Sequence, residues 1–164
     1  MRIHIPVQVR WADLDAYGHV NNAAMLTLAE EARIHGLWSD AGHDKSGEPV
    51  EAASTGSARV FQAGPDSGTS TLIARQEVDY LMPIPHYRDP IEIEMWVGKL
   101  GGASFDVCYE IYSPAGQTPR VLFTRVMTVI VMVDTATMRP RKMNDAERAE
   151  LEKYVEEPIV FGRG

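Results

Sequence analysis

The stretch Val9-Arg10-Trp11-Ala12-Asp13-Leu14-Asp15-Ala16-Tyr17-Gly18-His19-Val20-Asn21-Asn22, followed at 23–38 by AAMLTLAEEARIHGLW, decides the reading of this chain. Upstream of it, Ile3, Ile5, Val7, Val9 and Trp11 alternate with Arg2, His4, Pro6, Gln8 and Arg10, the period-two pattern of a half-buried strand. Pro6 offers no N–H to a ladder, which predicts an edge strand or a local irregularity. The polar run ADLDAYGHVNN cannot continue the alternation. The segment after it is rich in strong helix formers and has no internal proline, so a helix is expected over Asn22–Leu37, capped by Asn21 or Asn22 through the side-chain oxygen. Met25, Leu28, Ala29, Ala32 and Gly36 recur at three-to-four spacing, and the small ones suit close packing on a sheet.

Working outward, residues 42–70 are dense in Gly, Ser, Pro and charge. They read as a long loop insertion, with a short strand at Ala58–Gln62. Four strand-like runs come next. Thr71–Met82 alternates through Leu72, Ala74, Val78 and Tyr80. Pro90–Val97 carries IEIEMWV, and Ala103 to Ile111 forms a one-sided face after a Gly101–Gly102 turn. Val121–Val133 is apolar on both parities and is expected to be central and covered on both sides. Asn144 with Glu147 makes a capping box for a C-terminal helix over 144–155. Strand, helix, loop, successive strands and helix point to one α+β domain over 1–164, a single antiparallel sheet with one long helix packed on it.

Composition bounds the function. The chain has 164 residues, the length of one ordinary domain. It carries 23 acidic against 16 basic side chains, a formal charge of −7. Such a surface repels phosphate backbones, so no nucleic-acid partner is expected. The single Cys108 allows no intrachain disulfide, and the N-terminal run has no apolar signal-peptide core, which predicts a cytoplasmic setting. No window is long and apolar enough for a membrane span. Neither H-x-x-E-H nor C-x-x-C occurs, so no metal is expected, and no Gly-rich phosphate loop is present.

The loop from Asp13 to Asn22 puts two carboxylates, an imidazole and two carboxamides within ten residues, at the start of a helix. The first N–H groups of a helix lack intrahelical partners and sit at the positive end of its dipole, so they can hold a developing oxyanion. A carboxylate just upstream can attack a carbonyl held there, or activate water to do so. Gly18 supplies the conformational freedom such a loop needs.

The run Asp13-Leu14-Asp15-Ala16-Tyr17-Gly18-His19-Val20-Asn21-Asn22, with Glu30-Glu31-Ala32-Arg33 down the helix, resembles the hotdog-fold thioesterases of the 4-hydroxybenzoyl-CoA thioesterase and acyl-CoA thioesterase type. Val78–Ile84, Arg88-Asp89-Pro90-Ile91, Gly101-Gly102-Ala103-Ser104 and Val133-Asp134 extend the resemblance over most of the chain outside 42–70. It implies a hotdog fold, an antiparallel sheet wrapped around one long central helix, and an acyl-CoA thioesterase that releases free acid and CoA. It also implies a homodimer or homotetramer with its sites between subunits.

By that resemblance Asp15 is the catalytic carboxylate, as nucleophile or general base, and the backbone N–H of Asn22 polarises the thioester carbonyl. His19 falls where some acyl-carrier thioesterases place a functional histidine, while Tyr17 departs from their pattern. Gly18, Tyr17 and Val20 are candidate substrate contacts. Asp13 reads instead as a turn or salt-bridge residue. Coenzyme A is polyanionic and needs local cations; Arg88, Lys99 and Arg141, with Arg139 and Lys142, are the candidates. No cofactor is expected beyond the CoA of the substrate. Alternatives are an acyl-carrier-protein thioesterase, a hotdog hydratase or dehydratase, whose D-x-N-P-x-H run is absent, and a non-catalytic acyl-CoA-binding protein.

Overall fold

The computed structural model describes residues 1–38, 60–61 and 69–162. In chain order these form β1 (Ile3–Val7), a 3-10 turn (Trp11–Asp13), α1 (Asn22–Leu37), β2 (Thr69–Tyr80), β3 (Ile91–Leu100), β4 (Ser104–Tyr112), β5 (Leu122–Asp134) and α2 (Asp145–Glu152). The strands make one sheet in the order β1-β3-β4-β5-β2, every neighbouring pair antiparallel. β1, with its Pro6, lies at one edge as expected, and β2 lies at the other.

Helix α1 begins at Asn22 because the Asn21 side chain accepts the Ala23 N–H at 2.8 Å, so Asn21 is the cap. The helix buries Met25, Leu28, Ala29, Ala32, Gly36 and Leu37 and lies over β1 and β3. Gly36 suits that approach: a Cβ there would come 2.3 Å from Met95 Cε, and the end of that side chain would have to shift. Facing the helix are Ile3 and Ile5 of β1, Ile91, Ile93 and Met95 of β3, and Phe105, Val107, Tyr109 and Ile111 of β4, all buried. This sheet and its helix form the hotdog arrangement of an α+β fold.

Three strand expectations are corrected. β2 has an extra residue between Ile73 and Arg75, which reverses the phase of its side chains. Leu72, opposite Val131, therefore points away from the helix, whereas Gln76, Val78 and Tyr80 point towards it. Thr69 and Ser70 belong to β2 rather than to the loop, and Leu81 and Met82 fall outside the strand. β5 is interior in the sheet, yet only one parity, Thr124, Val126, Thr128, Ile130 and Met132, is fully buried; Arg125, Met127, Val129 and Val131 are half-buried. Of the expected loop and its short strand, only Val60 and Phe61 lie within the described residues before β2. Phe61 bridges Trp38 in parallel and packs on Phe105 at 5.7 Å between ring centres.

The outer face of the sheet carries an ion network. Arg2 bonds Glu94 at 2.8 Å and Glu110 at 2.6 Å, and Arg120 bonds Glu92 at 2.8 Å and Glu94 at 2.6 Å. After α2, whose capping box of Asn144 and Glu147 is formed, the chain crosses this face. Trp96 Nε1 donates to the Glu157 carbonyl at 2.9 Å and the Glu156 N–H to Val97 O at 3.0 Å. Among the described residues no helix is long and apolar enough to cross a membrane.

Candidate active site

The Asp15 loop is closed by its own backbone. The Asp15 N–H donates to His19 O at 2.7 Å, the Gly18 N–H to Asp15 O at 3.1 Å, and Gly18 takes φ +76°, a left-handed conformation that favours glycine. Asp15 then uses one carboxylate oxygen as a brace: Oδ1 accepts the N–H of Tyr17 at 2.8 Å and of His19 at 3.1 Å. These backbone N–H groups, His19's first, hold the carboxyl below the usual carboxylate range. The group is half-exposed and ionised at neutral pH, and both bonds fall on the same oxygen.

Asp13 has a different task. It is 3% exposed, its Oδ2 accepts the Arg10 N–H at 2.7 Å, and its Oδ1 accepts from Arg10 Nη2 at 2.8 Å. Its carbonyl accepts the Asn21 N–H at 2.8 Å, which ties the 3-10 turn to the start of α1. Arg10 holds the Asp13 carboxyl low. The two aspartates two residues apart are thus separated in role: one is consumed by structure, the other faces outward.

Asn22 is the first residue of α1, exposed, and its backbone N–H donates to no acceptor among the described residues. That is the unsatisfied donor a helix start offers. A segment that sequence reasoning used only for its resemblance closes the site from the other side. The Tyr80 hydroxyl donates to Asn22 O at 3.2 Å, the Val20 N–H to Ile84 O at 2.9 Å, and His19 bridges Pro85. His86 stacks on Trp11 at 4.5 Å between ring centres with the planes 14° apart. These contacts span 58 or more residues of sequence, so no local pattern announces them; only β2, running from the far end of the sheet to Tyr80, brings the two segments together.

The remaining candidates divide. Tyr17 is 85% exposed at the tip of the loop, and Gly18 is exposed beside it. His19 is half-buried, and no described hydrogen bond engages its ring. Val20 is buried at 6% exposure and packs in the core. Arg88, two residues past His86, is exposed and makes no described ion pair or hydrogen bond, so it is the candidate cation nearest the loop in the chain path. Lys99 and Arg141 are not brought to Asp15 within one chain. Lys99 lies eight residues along β3 from Ile91, about 26 Å at ~3.3 Å per residue. Arg141 lies at that same far end, its N–H on Met132 O and its guanidinium on Glu147 at 2.5 and 2.9 Å.

Two further clusters are already committed elsewhere. His4, Glu92 and Glu94 bring ligand-type atoms within 4.8 Å of one another on the outer face. Arg120 and Arg2 already neutralise those carboxylates there. Cys108 is buried, and burial pushes its thiol up, away from the reactive thiolate.

Comparison with known proteins agrees with this architecture. Among solved structures that resemble the chain, a predicted thioesterase from Bacillus stearothermophilus superposes with a TM-score of 0.69 at 21% identity, covering 96% of this chain and 99% of its own. A thioesterase from Thermus thermophilus, complexed with coenzyme A and Zn, gives 0.65 at 24%, covering 96% of each chain. The 1,4-dihydroxy-2-naphthoyl-CoA thioesterase of Synechocystis gives 0.66 at 16%, covering 92% and 96%. At these identities the likeness shows the fold. No curated protein matches the chain. The family model described as thioesterase-like superfamily matches residues 9–153, from the start of the Asp15 loop region through α2. The chain therefore belongs to the thioesterase-like superfamily and is a thioester hydrolase.

Proposed function

We propose that the chain hydrolyses acyl-CoA thioesters, with Asp15 as nucleophile and the Asn22 N–H as oxyanion donor. The observation that carries this is the pairing of an ionised, loop-fixed carboxylate with an uncommitted N–H at a helix start seven residues on. In the proposed step the carboxylate attacks the thioester carbon, the C–S bond breaks and coenzyme A leaves as thiolate. Water then cleaves the acyl-aspartyl anhydride to free acid and restores Asp15. A carboxyl held below its usual range is a weak base at neutral pH, since base catalysis is best with a pKa near the working pH. The depressed value also keeps the carboxylate ionised at neutral pH, the form that attack on the thioester requires. Trapping of the acyl group on Asp15 in a rapidly quenched single turnover, or oxygen-18 from labelled water entering the Asp15 carboxylate, tests it; acid release with no acyl-enzyme trapped and no label in Asp15 would assign the base role.

The site is proposed to work in a homodimer, within one hotdog domain per chain and in the cytoplasm. β2 is an edge strand whose outer side pairs with no strand among the described residues, and it exposes Leu72 and Ile73. Antiparallel pairing of two β2 edges about a twofold would set the start of one strand beside the end of the other. The far end of the partner, which in each chain holds Asp134 opposite Thr69 and Arg139 bonded to Asp134, would then lie beside Tyr80 and the Asp15 loop. The partner subunit's Arg139 and Lys142 would join Arg88 as cations for the coenzyme A phosphates. No metal takes part in the proposed reaction. Thiol release from a panel of acyl-CoAs tests the activity: measurable binding with no release at any chain length would leave a binding protein instead.

A further inference from the structure

Tyr80 is the last residue of β2, and its side chain reaches the first residue of α1. The hydroxyl donates to the Asn22 carbonyl at 3.2 Å, across 58 residues of sequence. The sheet fixes the base of that side chain. Tyr80 stands opposite Thr124 on β5, and the N–H groups of Leu81 and Met82 both donate to Phe123 O, at 2.9 and 3.0 Å. The ring itself is exposed and lies outside the hydrophobic core, so the hydroxyl contact, and not burial, ties it to the helix.

The carbonyl that Tyr80 holds belongs to the first peptide plane of the helix, between Asn22 and Ala23. On the opposite edge of that plane the Ala23 N–H donates to Asn21 Oδ1 at 2.8 Å. The preceding plane, between Asn21 and Asn22, is anchored through Asn21 O, which accepts the Met25 N–H at 2.9 Å. Of the polar groups on these two planes, the Asn22 N–H alone has no acceptor among the described residues. Asn21 and Met25 are chain neighbours that move with the helix start, whereas Tyr80 is set by the sheet. That difference matters because helix ends fray, and an oxyanion donor is effective to the extent that it is fixed before charge develops.

We propose that Tyr80 is a positioning residue for the thioesterase reaction: its hydroxyl ties the first turn of α1 to the end of β2, so that the Asn22 N–H keeps its aim at the thioester oxygen. The inference rests on the reading of Asn22 as oxyanion donor and adds the residue that holds it. The test is a cycle of Tyr80→Phe, Asn22→Pro and the two together, assayed by thiol release from an acyl-CoA that wild type cleaves. Tyr80→Phe keeps the ring and removes the hydroxyl. It is expected to lower kcat by about three- to tenfold, the worth of one neutral hydrogen bond. KM is expected to stay within about twofold, with oligomeric state and thermal midpoint close to wild type. In the Asn22→Pro background the same substitution is expected to cost nothing further, because the N–H that it aims is gone. A hydroxyl that touched substrate directly would cost its full factor in both backgrounds. That result, an unchanged kcat in Tyr80→Phe, or a loss carried by KM overturns the inference and leaves the hydrolase standing. Asn22→Pro turning over at the wild-type rate removes the donor and the inference together, with Asp15 still judged by its own variants. Wild type releasing no thiol from any acyl-CoA removes the hydrolase reading, and this inference falls with it.

Discussion

Asp15 and His19 hold each other twice: the Asp15 N–H donates to His19 O at 2.7 Å, and the His19 N–H donates back to Asp15 Oδ1 at 3.1 Å. The carboxylate is therefore fixed by the loop it fixes. Nothing in that brace requires a negative charge, since any side-chain oxygen at Oδ1 can accept the N–H groups of Tyr17 and His19.

Asparagine supplies such an oxygen and tolerates the same turn geometry. Asp15→Asn is expected to keep the fold, with a thermal midpoint near that of wild type, and to lose thioester hydrolysis by about a thousandfold or more. Asp15→Ala is expected to lose activity and also loop order, because it strands two N–H groups. A thiol-release assay beside thermal unfolding separates the two; turnover by Asp15→Asn at the wild-type rate would remove Asp15 from the chemistry.

The depressed Asp15 carboxyl sets the acid side of the pH profile. Its folded value lies below the ordinary one of 3.8 because the His19 and Tyr17 N–H groups stabilise the charge. A reaction that needs the carboxylate runs at full strength above the folded value and fails as pH falls through it. The acid limb of kcat/KM is thus expected below about pH 4, with no break near pH 6 to 7 from this group. The same sign holds for stability: the loop's contribution is complete above the unfolded value and is lost as pH falls through the folded one. Rate measurements down to the onset of acid unfolding, with Asp15→Asn as the control for stability, check both.

Asn22 allows a deletion of one atom pair. It is the first helical residue, where proline is favoured because its missing N–H has no intrahelical acceptor. Asn21 before it is extended at φ −64° and ψ 143°, the conformation that a residue preceding proline prefers. Asn22→Pro should leave helicity and thermal midpoint close to wild type. It should lower kcat by about a hundredfold to a thousandfold, the size of losing one preorganised oxyanion donor. Asn22→Ala, which keeps the N–H, is expected to retain most activity.

The elements themselves were largely legible. Hydrophobic period two marked β1, β3 and β4, and helix formers bounded by Asn21 and Trp38 marked α1, since these signals are local. The Ile73–Arg75 bulge was not, because an extra residue in one strand is visible only against its partner, and it moved Leu72 to the opposite face from Val78. The site was half legible for the same reason. Asp15, Gly18 and Asn22 sit within one loop, whereas Tyr80, Ile84 and His86 reach it only through the sheet. Charge and a place beside a strand end make Lys99 and Arg141 candidates, and neither signal says which end of the sheet a residue occupies.

That last separation yields the remaining prediction. Lys99, Arg139 and Arg141 lie at the end of the sheet away from Asp15, so among the described residues of a single chain little beyond Arg88 is gathered to hold coenzyme A near its own loop. If β2 pairs with β2 of a second copy, the partner's far end supplies the missing charge, and the dimer becomes a condition of activity. Leu72→Lys combined with Ile73→Lys places like charges across the exposed edge, where they oppose pairing. Wild type is expected to sediment as a dimer or a tetramer built from it, and the double variant as a monomer with an intact circular-dichroism spectrum. Its KM for acyl-CoA is expected to rise by about tenfold or more, and Arg139→Ala in the wild-type background should raise KM in the same direction while leaving the dimer in place. A monomeric double variant with wild-type KM would show that one chain binds the coenzyme unaided, and the edge-paired site would have to be abandoned.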